Sequence, residues 1–269
     1  MAAGKAQNAA RQAESSTALR GLARAGFAAN GLVHVLIGGI AIGVAGGSGG
    51  SADQSGALGA IAATPGGVFL LWACAIGLLG LAVFQLVQAV LTREGDSSAK
   101  RWGNRIKEAS KGVAFGAIGV TAVTVALGGR SDSSESSQNA SAGLLGTPGG
   151  VFLLVAIGAG VIAIGAVFVF RGVSGRFEQE INEPAGAAGR AVHTLGVAGY
   201  VAKGIVLGAV GVLLVVAALR ADPQEAGGLD EGLKSLAELP FGVVLLYAVA
   251  VGLIAYGVYC FARARWARL

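Results

Sequence analysis

Long apolar runs separated by short polar segments dominate the chain. No charged residue lies between Arg24 and Asp53, Asp53 and Arg93, Lys111 and Arg130, Glu135 and Arg171, or Glu238 and Arg263. Each interval can hold the roughly 20 residues that cross a bilayer as a helix. The shortest, Lys111 to Arg130, spans about 27 Å, enough once the end charges snorkel to the surface. A sixth apolar run, Val197 to Leu219, carries a single charge, Lys203. The pattern predicts helices near 25–46, 67–91, 112–128, 150–170, 196–219 and 241–262. Barrel strands would show alternation over about ten residues, whereas these runs are continuous, so helices are the reading that satisfies the backbone in lipid.

Composition agrees with an all-α polytopic membrane protein. Of 269 residues 54% are hydrophobic and 13% charged, 46 are glycine, and the mean hydropathy is +0.68. The first 20 residues are polar, with Lys5, Arg11, Glu14 and Arg20, and no short apolar segment with a small-residue cleavage site precedes the first run. The first helix is therefore expected to remain as a signal anchor. Of the 20 Lys and Arg, 17 fall on the side of the termini when the six runs alternate across the membrane, leaving Arg130, Arg220 and Lys234 opposite. Both termini are expected in the cytoplasm by the positive-inside rule. The pI near 9.5 then reflects topology and anionic lipid rather than nucleic acid. Cys74 and Cys260 fall inside runs, where a thiol packs as a small hydrophobe.

The chain repeats itself. Thr64-Pro65-Gly66-Gly67-Val68-Phe69-Leu70-Leu71 recurs as Thr147-Pro148-Gly149-Gly150-Val151-Phe152-Leu153-Leu154 and, more loosely, as Leu239-Pro240-Phe241-Gly242-Val243-Val244-Leu245-Leu246. Each proline is expected at the first position of an even-numbered helix, with Thr64 or Thr147 capping its free amides. The odd-numbered helices share glycines two turns apart, Gly31 and Gly38, Gly112 and Gly119, Gly204 and Gly211, with Gly39, Gly43, Gly116 and Gly208 extending the stripes. Such small-residue stripes are expected to bring helix backbones together in lipid. The units are hairpin repeats 22–93, 100–175 and 190–262, between a polar cytoplasmic segment 1–21 and a basic tail 263–269. All three begin and end on one side, so they are parallel and imply pseudo-threefold symmetry. Of the intervening loops, Gly46 to Gly67 and Gly129 to Gly150 read as Gly/Ser-rich, Ser131 to Ser141 as a flexible polar tract, and Leu229 to Leu239 as a short amphipathic helix. Lys100 to Lys111, with Trp102 and Ile106 among Arg101, Arg105 and Lys107, reads as an interfacial basic segment.

These features resemble the bacterial integral membrane family called domain of unknown function 1206, whose members carry three two-helix repeats. The resemblance rests on the residue pairs that open the odd helices, Asn30-Gly31, Lys111-Gly112 and Lys203-Gly204, on Pro240-Phe241-Gly242, and on the closing run Gly252-Leu253-Ile254-Ala255-Tyr256-Gly257-Val258-Tyr259. It spans about Leu22 to Ala262. The first repeat departs from the pattern with Asn30 in place of a cation, and the second with Ile164-Gly165 in place of Tyr-Gly. The resemblance implies topology and a bacterial plasma-membrane location, and no activity.

Enzyme signals fail on context. Gly46-Gly47-Ser48-Gly49-Gly50 matches G-x-S-x-G, but a nucleophile elbow needs a strand before it. A rhomboid-type protease would carry serine on the fourth helix and histidine on the sixth, and neither is there. No metal or cofactor is expected from two histidines and no paired intramembrane carboxylates. His34 and Gln85 are the polar candidates inside spans. Asn30, Lys111 and Lys203 hold one repeat position and, with Arg101 and Arg105, are expected to form a basic collar for anionic lipid. The leading expectation is a non-enzymatic scaffold or lipid-interacting bundle, with membrane lipids and membrane proteins as partners. The alternative is a small-solute transporter or channel along the bundle axis. Mitochondrial carriers share the outline of three two-helix repeats, but their Pro-x-acid-x-x-base motif does not occur here.

Overall fold

The computed structural model describes residues 16–91, 98–182 and 184–268. The polar segment expected at 1–21 therefore lies outside the described residues up to position 15, as do Arg93, Glu94, Asp96 and Ser97 of the second loop.

Among the described residues, six helices are long and apolar enough to cross a membrane. They are α1 (Thr17–Ala45), α3 (Gly67–Val90), α4 (Ser98–Ala126), α6 (Gly150–Val173), α7 (Ala187–Arg220) and α9 (Gly242–Trp266). Shorter helices α2 (Gln54–Ala62), α5 (Ser133–Leu145) and α8 (Leu229–Ala237) fill the loops within the three hairpins, and 3-10 turns cover Arg176–Glu180 and Pro223–Glu225. The first, third and fifth spans begin well before the apolar runs do, because nothing in their polar N-terminal turns breaks a helix. Lys100 to Lys111, expected as a separate interfacial segment, is thus continuous with the span of α4.

Two of the loops differ from their expected irregularity. The tract Ser131 to Ser141 is helical from Ser133 onward because the Asp132 carboxylate accepts from the amides of Ser134 and Glu135 at 2.9 and 3.0 Å, the capping bond that a helix start requires. In the first loop Asp53 does the same for α2, accepting from the Gly56 amide and the Ser55 hydroxyl at 2.7 Å each. The expected amphipathic helix in the third loop forms as α8.

The turn before each even-numbered span also differs from expectation. Gly67 N–H donates to the Thr64 carbonyl at 2.9 Å across Pro65-Gly66, and Gly66 has φ 77°, ψ 3°. Those are the marks of a type II turn, with proline at its second position and a left-handed residue at its third. Proline therefore sits two residues ahead of the helix instead of at its first position. The Thr64 and Thr147 hydroxyls donate backwards, to Ile61 O and Leu144 O at 2.7 Å, and close the preceding helices.

The odd-numbered spans end alike. Ser48 N–H reaches Gly43 O and Gly47 N–H reaches Val44 O, and the same pattern joins Gly129 to Thr124, Gly128 to Val125, Asp222 to Ala217 and Ala221 to Ala218. This pair of bonds around one left-handed residue is the Schellman termination. The G-x-S-x-G match at Gly46 to Gly50 is the first of these helix stops. In the third repeat both left-handed positions have lost their glycine: Ala221 has φ 50° and Phe241 φ 61°. Each holds a conformation that costs an L-residue about 1 kcal/mol or more.

The described residues fall into two compact units. The first comprises the described residues within 1–30, 61–130 and 260–269, the second those within 31–60 and 131–259. In the first, α3 packs antiparallel on α4, with Ala23, Phe27, Leu81, Phe84 and Ala267 in the core. In the second, α6 packs antiparallel on α7, and the C-terminal part of α1 packs antiparallel on α9. Each of these close pairs joins the even helix of one repeat to the odd helix of another.

Glycine makes those approaches possible. A Cβ on Gly204 would stand 2.6 Å from Gly165 O, one on Gly211 2.8 Å from Gly158 O, and one on Gly38 2.6 Å from Ala250 O. Gly31 presents its carbonyl 2.6 Å from where Gly257 would carry a Cβ, while Gly112 and Gly119 face Leu86 and Leu79 at 2.8 and 2.9 Å. The stripe extensions are different. A Cβ on Gly39 or Gly208 would meet nothing within 4 Å, and Gly43 and Gly116 have only ordinary contacts.

Candidate functional site

The second unit brings His34 and Lys203 together, two residues whose sequence settings gave no reason to pair them. Lys203 lies at the middle of α7, about 24 Å from either end. Its Nζ is 3.1 Å from His34 Nε2. The contact follows from the glycines around it. Gly31, one turn before His34, lets α1 press on α9 at Gly257, and Gly199, one turn before Lys203, lets α7 press on α9 at the Tyr256 backbone, 2.5 Å from its would-be Cβ. Tyr256 is thereby held against both: its ring lies 4.4 Å from the Lys203 nitrogen and 4.8 Å from the His34 ring. Phe168 on α6 offers a second ring to the ammonium at 5.5 Å. Aromatic faces attract a cation, most strongly where water is excluded. His34 is buried and Lys203 partly so.

An ammonium has only hydrogens to give, so a charged Lys203 bonds His34 only when Nε2 is bare and the imidazole proton sits on Nδ1. The rings of Tyr256 and Phe168 favour the lysine cation.

A layer of aromatic side chains lies beside it. Phe177, from the 3-10 turn after α6, is fully buried over Gly196, stacked on Tyr200 with centroids 5.2 Å apart and meeting Tyr259 edge-on at 5.3 Å. Tyr259 donates its hydroxyl to Phe177 O at 3.3 Å. Arg171 sits 5.5 Å over the Tyr200 ring and bonds Glu180 at 2.5 Å, and His193 pairs with Glu178. The signal available in the sequence between 171 and 195 was Phe177, one apolar aromatic in a polar segment.

The other sequence candidates have these places. Asn30 is buried in the first unit and donates to Cys260 Sγ at 3.3 Å. Lys111 bonds Glu108 on its own helix at 3.2 Å. Arg101 and Arg105 stand beside Trp102 on α4, with Arg105 5.8 Å over the indole, and Trp102 and Ile106 are each 61% exposed. Gln85 is buried in α3. Asn30 is thus buried and Lys203 partly so.

At the loop end of the second unit a polar network ties the short helices together. Asp230 on α8 accepts from Ala52 N–H at 2.8 Å and from Lys234 at 2.6 Å, Ser133 N–H reaches Ser55, and Ser134 bonds Glu231. The hydrogen bond to Asp230 holds the Lys234 ammonium above its ordinary pKa range, aided by the charges of Asp230, Glu231 and Asp53.

Comparison with known proteins finds three repeats. The model of the Domain of Unknown Function (DUF1206) matches residues 25–92, 106–175 and 198–267. The chain is similar to the uncharacterized protein YxxB of Bacillus subtilis (strain 168), 32% identical over 249 residues that cover 91% of this chain and 90% of that protein. No solved structure matches. With six spans arranged as three helix–short helix–helix units, each matched by that model, the chain belongs to the DUF1206 family.

Proposed function

We propose that this protein is a non-enzymatic, lipid-interacting helical bundle that engages anionic lipid where the N-terminal turns of α4 leave the membrane on the cytoplasmic side. The observation that carries this reading is the exposed face of α4. Ile106, Val113 and Val120 follow one another at two-turn intervals on that face, all more than half exposed, and Trp102 continues it one turn beyond Ile106. An apolar stripe ending in tryptophan is what a helix presents to acyl chains and then to head groups. Arg101, Arg105 and Lys107 cluster at that end, and each cation near a membrane surface adds about 1 kcal/mol of attraction to anionic lipid. Lys111 contributes less than the sequence implied because Glu108 partly neutralises it. The 17 of 20 basic residues that fall on this side in the six-span topology support a cytoplasmic rim.

Native mass spectrometry of protein released from bilayers of mixed phosphatidylglycerol and phosphatidylcholine tests the reading. The wild type is expected to retain phosphatidylglycerol in preference, and Arg101→Gln/Arg105→Gln/Lys107→Gln to lose at least tenfold of that preference, given about 1 kcal/mol per cation. Equal retention of the two lipids by the wild type, or an unchanged preference in the triple variant, would count against it. The transporter reading has one observation in its favour, the polar His34–Lys203 pair inside the spans, and its test is uptake of anionic solutes into proteoliposomes.

A further inference from the structure

We propose that His34 and Lys203 form an intramembrane proton-binding site, loaded with one proton at neutral pH and with a second on acidification. This goes beyond the lipid reading and stands or falls separately from it. Three observations meet here. The two nitrogens are 3.1 Å apart. The lysine nitrogen is seated over the ring of Tyr256 at 4.4 Å and that of Phe168 at 5.5 Å. The imidazole is buried and touches the same Tyr256 ring. The aromatic faces keep the first proton on Lys203, which leaves His34 Nε2 as the one basic position in the pair.

The step is a simple proton transfer: hydronium gives its proton to His34 Nε2, water is released, and the pair passes from one positive charge to two with no oxidation or reduction. Two donors cannot share a hydrogen bond, and two cations at that separation repel strongly where water is sparse. The second proton therefore separates the side chains and strains the seam that His34 on α1 and Lys203 on α7 form around Tyr256. Among the described residues, the titratable or charged groups around this seam include Tyr256 and Tyr259 on α9, Tyr200 and His193 on α7, Arg171 on α6, and Glu178 and Glu180 on the 3-10 turn. Arg171 with Glu180 and His193 with Glu178 are paired among themselves. Tyrosine hydroxyls carry no charge over the acidic range in which the second proton binds.

Nitrogen-15 NMR of histidine-labelled protein in nanodiscs tests this, since the chain has only two histidines and His193→Gln assigns the signals. At pH 7.5 His34 is expected as the Nδ1–H tautomer with a bare Nε2. On titration toward pH 4.5 its conversion to imidazolium is expected at least one pH unit lower than in Lys203→Met. An Nε2–H tautomer or an imidazolium at pH 7.5, or equal midpoints in the two proteins, would overturn the proposal. Should Lys203→Met fail to fold, the tautomer in the wild type decides alone.

Discussion

Gly204→Leu and Gly211→Leu are each expected to prevent or severely weaken folding, whereas Gly208→Leu, four residues from the first on the same helix, is expected to be tolerated. The contrast comes from what each added carbon meets. At Gly204 even a methyl group would stand 2.6 Å from Gly165 O and 2.9 Å from Val169 N, and at Gly211 2.8 Å from both Gly158 O and Ile162 N. Those neighbours are backbone atoms of α6, so they yield only if the two helices separate along their length. Between spans in lipid no hydrophobic force restores the contact once it opens, because acyl chains solvate the separated faces as well as protein does. A cost above about 3 kcal/mol is expected for leucine at either site. At Gly208 the added carbon meets nothing within 4 Å, and Gly208→Ala is expected to gain up to about 1 kcal/mol from helix propensity. Thermal unfolding in detergent, followed by fluorescence-detected size exclusion, measures all four. Equal tolerance at positions 204, 208 and 211 would mean that α6 and α7 do not meet through these glycines.

Phe177→Ala is expected to cost about 3–5 kcal/mol, the range for emptying a buried aromatic site, and to lower Tm by roughly 10 °C. The ring is fully buried, fills the space that Gly196 leaves, and contacts Tyr200 and Tyr259. Tyr259→Phe removes only the 3.3 Å hydrogen bond to Phe177 O and is expected to cost about 0.5–1.5 kcal/mol. If the two substitutions cost the same, the turn after α6 is not anchored by its ring.

The spans were legible because bilayer-length apolar runs admit one backbone solution, and the three repeats because Pro-Gly-Gly and paired glycines recur at matching offsets. Helix ends were less legible. Thr64 and Thr147 look like N-caps in sequence, yet a type II turn at Pro-Gly places them one turn too early, so they close the helix before. The tract Ser131 to Ser141 looked irregular because serine and asparagine are weak helix formers, and its helix depends on a cap at Asp132 and on Glu231, 97 residues away from Ser134. The glycine stripes do not separate close approaches from open positions, because periodicity places Gly208 near the face of Gly204 and Gly211 without saying how close the neighbouring backbone comes. The His34–Lys203 pair was hidden for a related reason. Each residue was visible as a polar group in an apolar run, but in the repeat register His34 corresponds to Leu207 and Lys203 to Asn30. Only the approach of both α1 and α7 to α9 around Tyr256 joins them.

The six-span topology with its basic ends in the cytoplasm is tested most directly by single-cysteine accessibility in cells. In a variant with Cys74 and Cys260 changed to serine, cysteine at Ser136, exposed on α5, and at Ser110, exposed on α4, is challenged with a membrane-impermeant maleimide. Ser136→Cys is expected to label in intact cells and Ser110→Cys only after the membrane is opened. Labelling of Ser110→Cys from outside, with Ser136→Cys protected, would contradict the orientation and with it the cytoplasmic lipid rim.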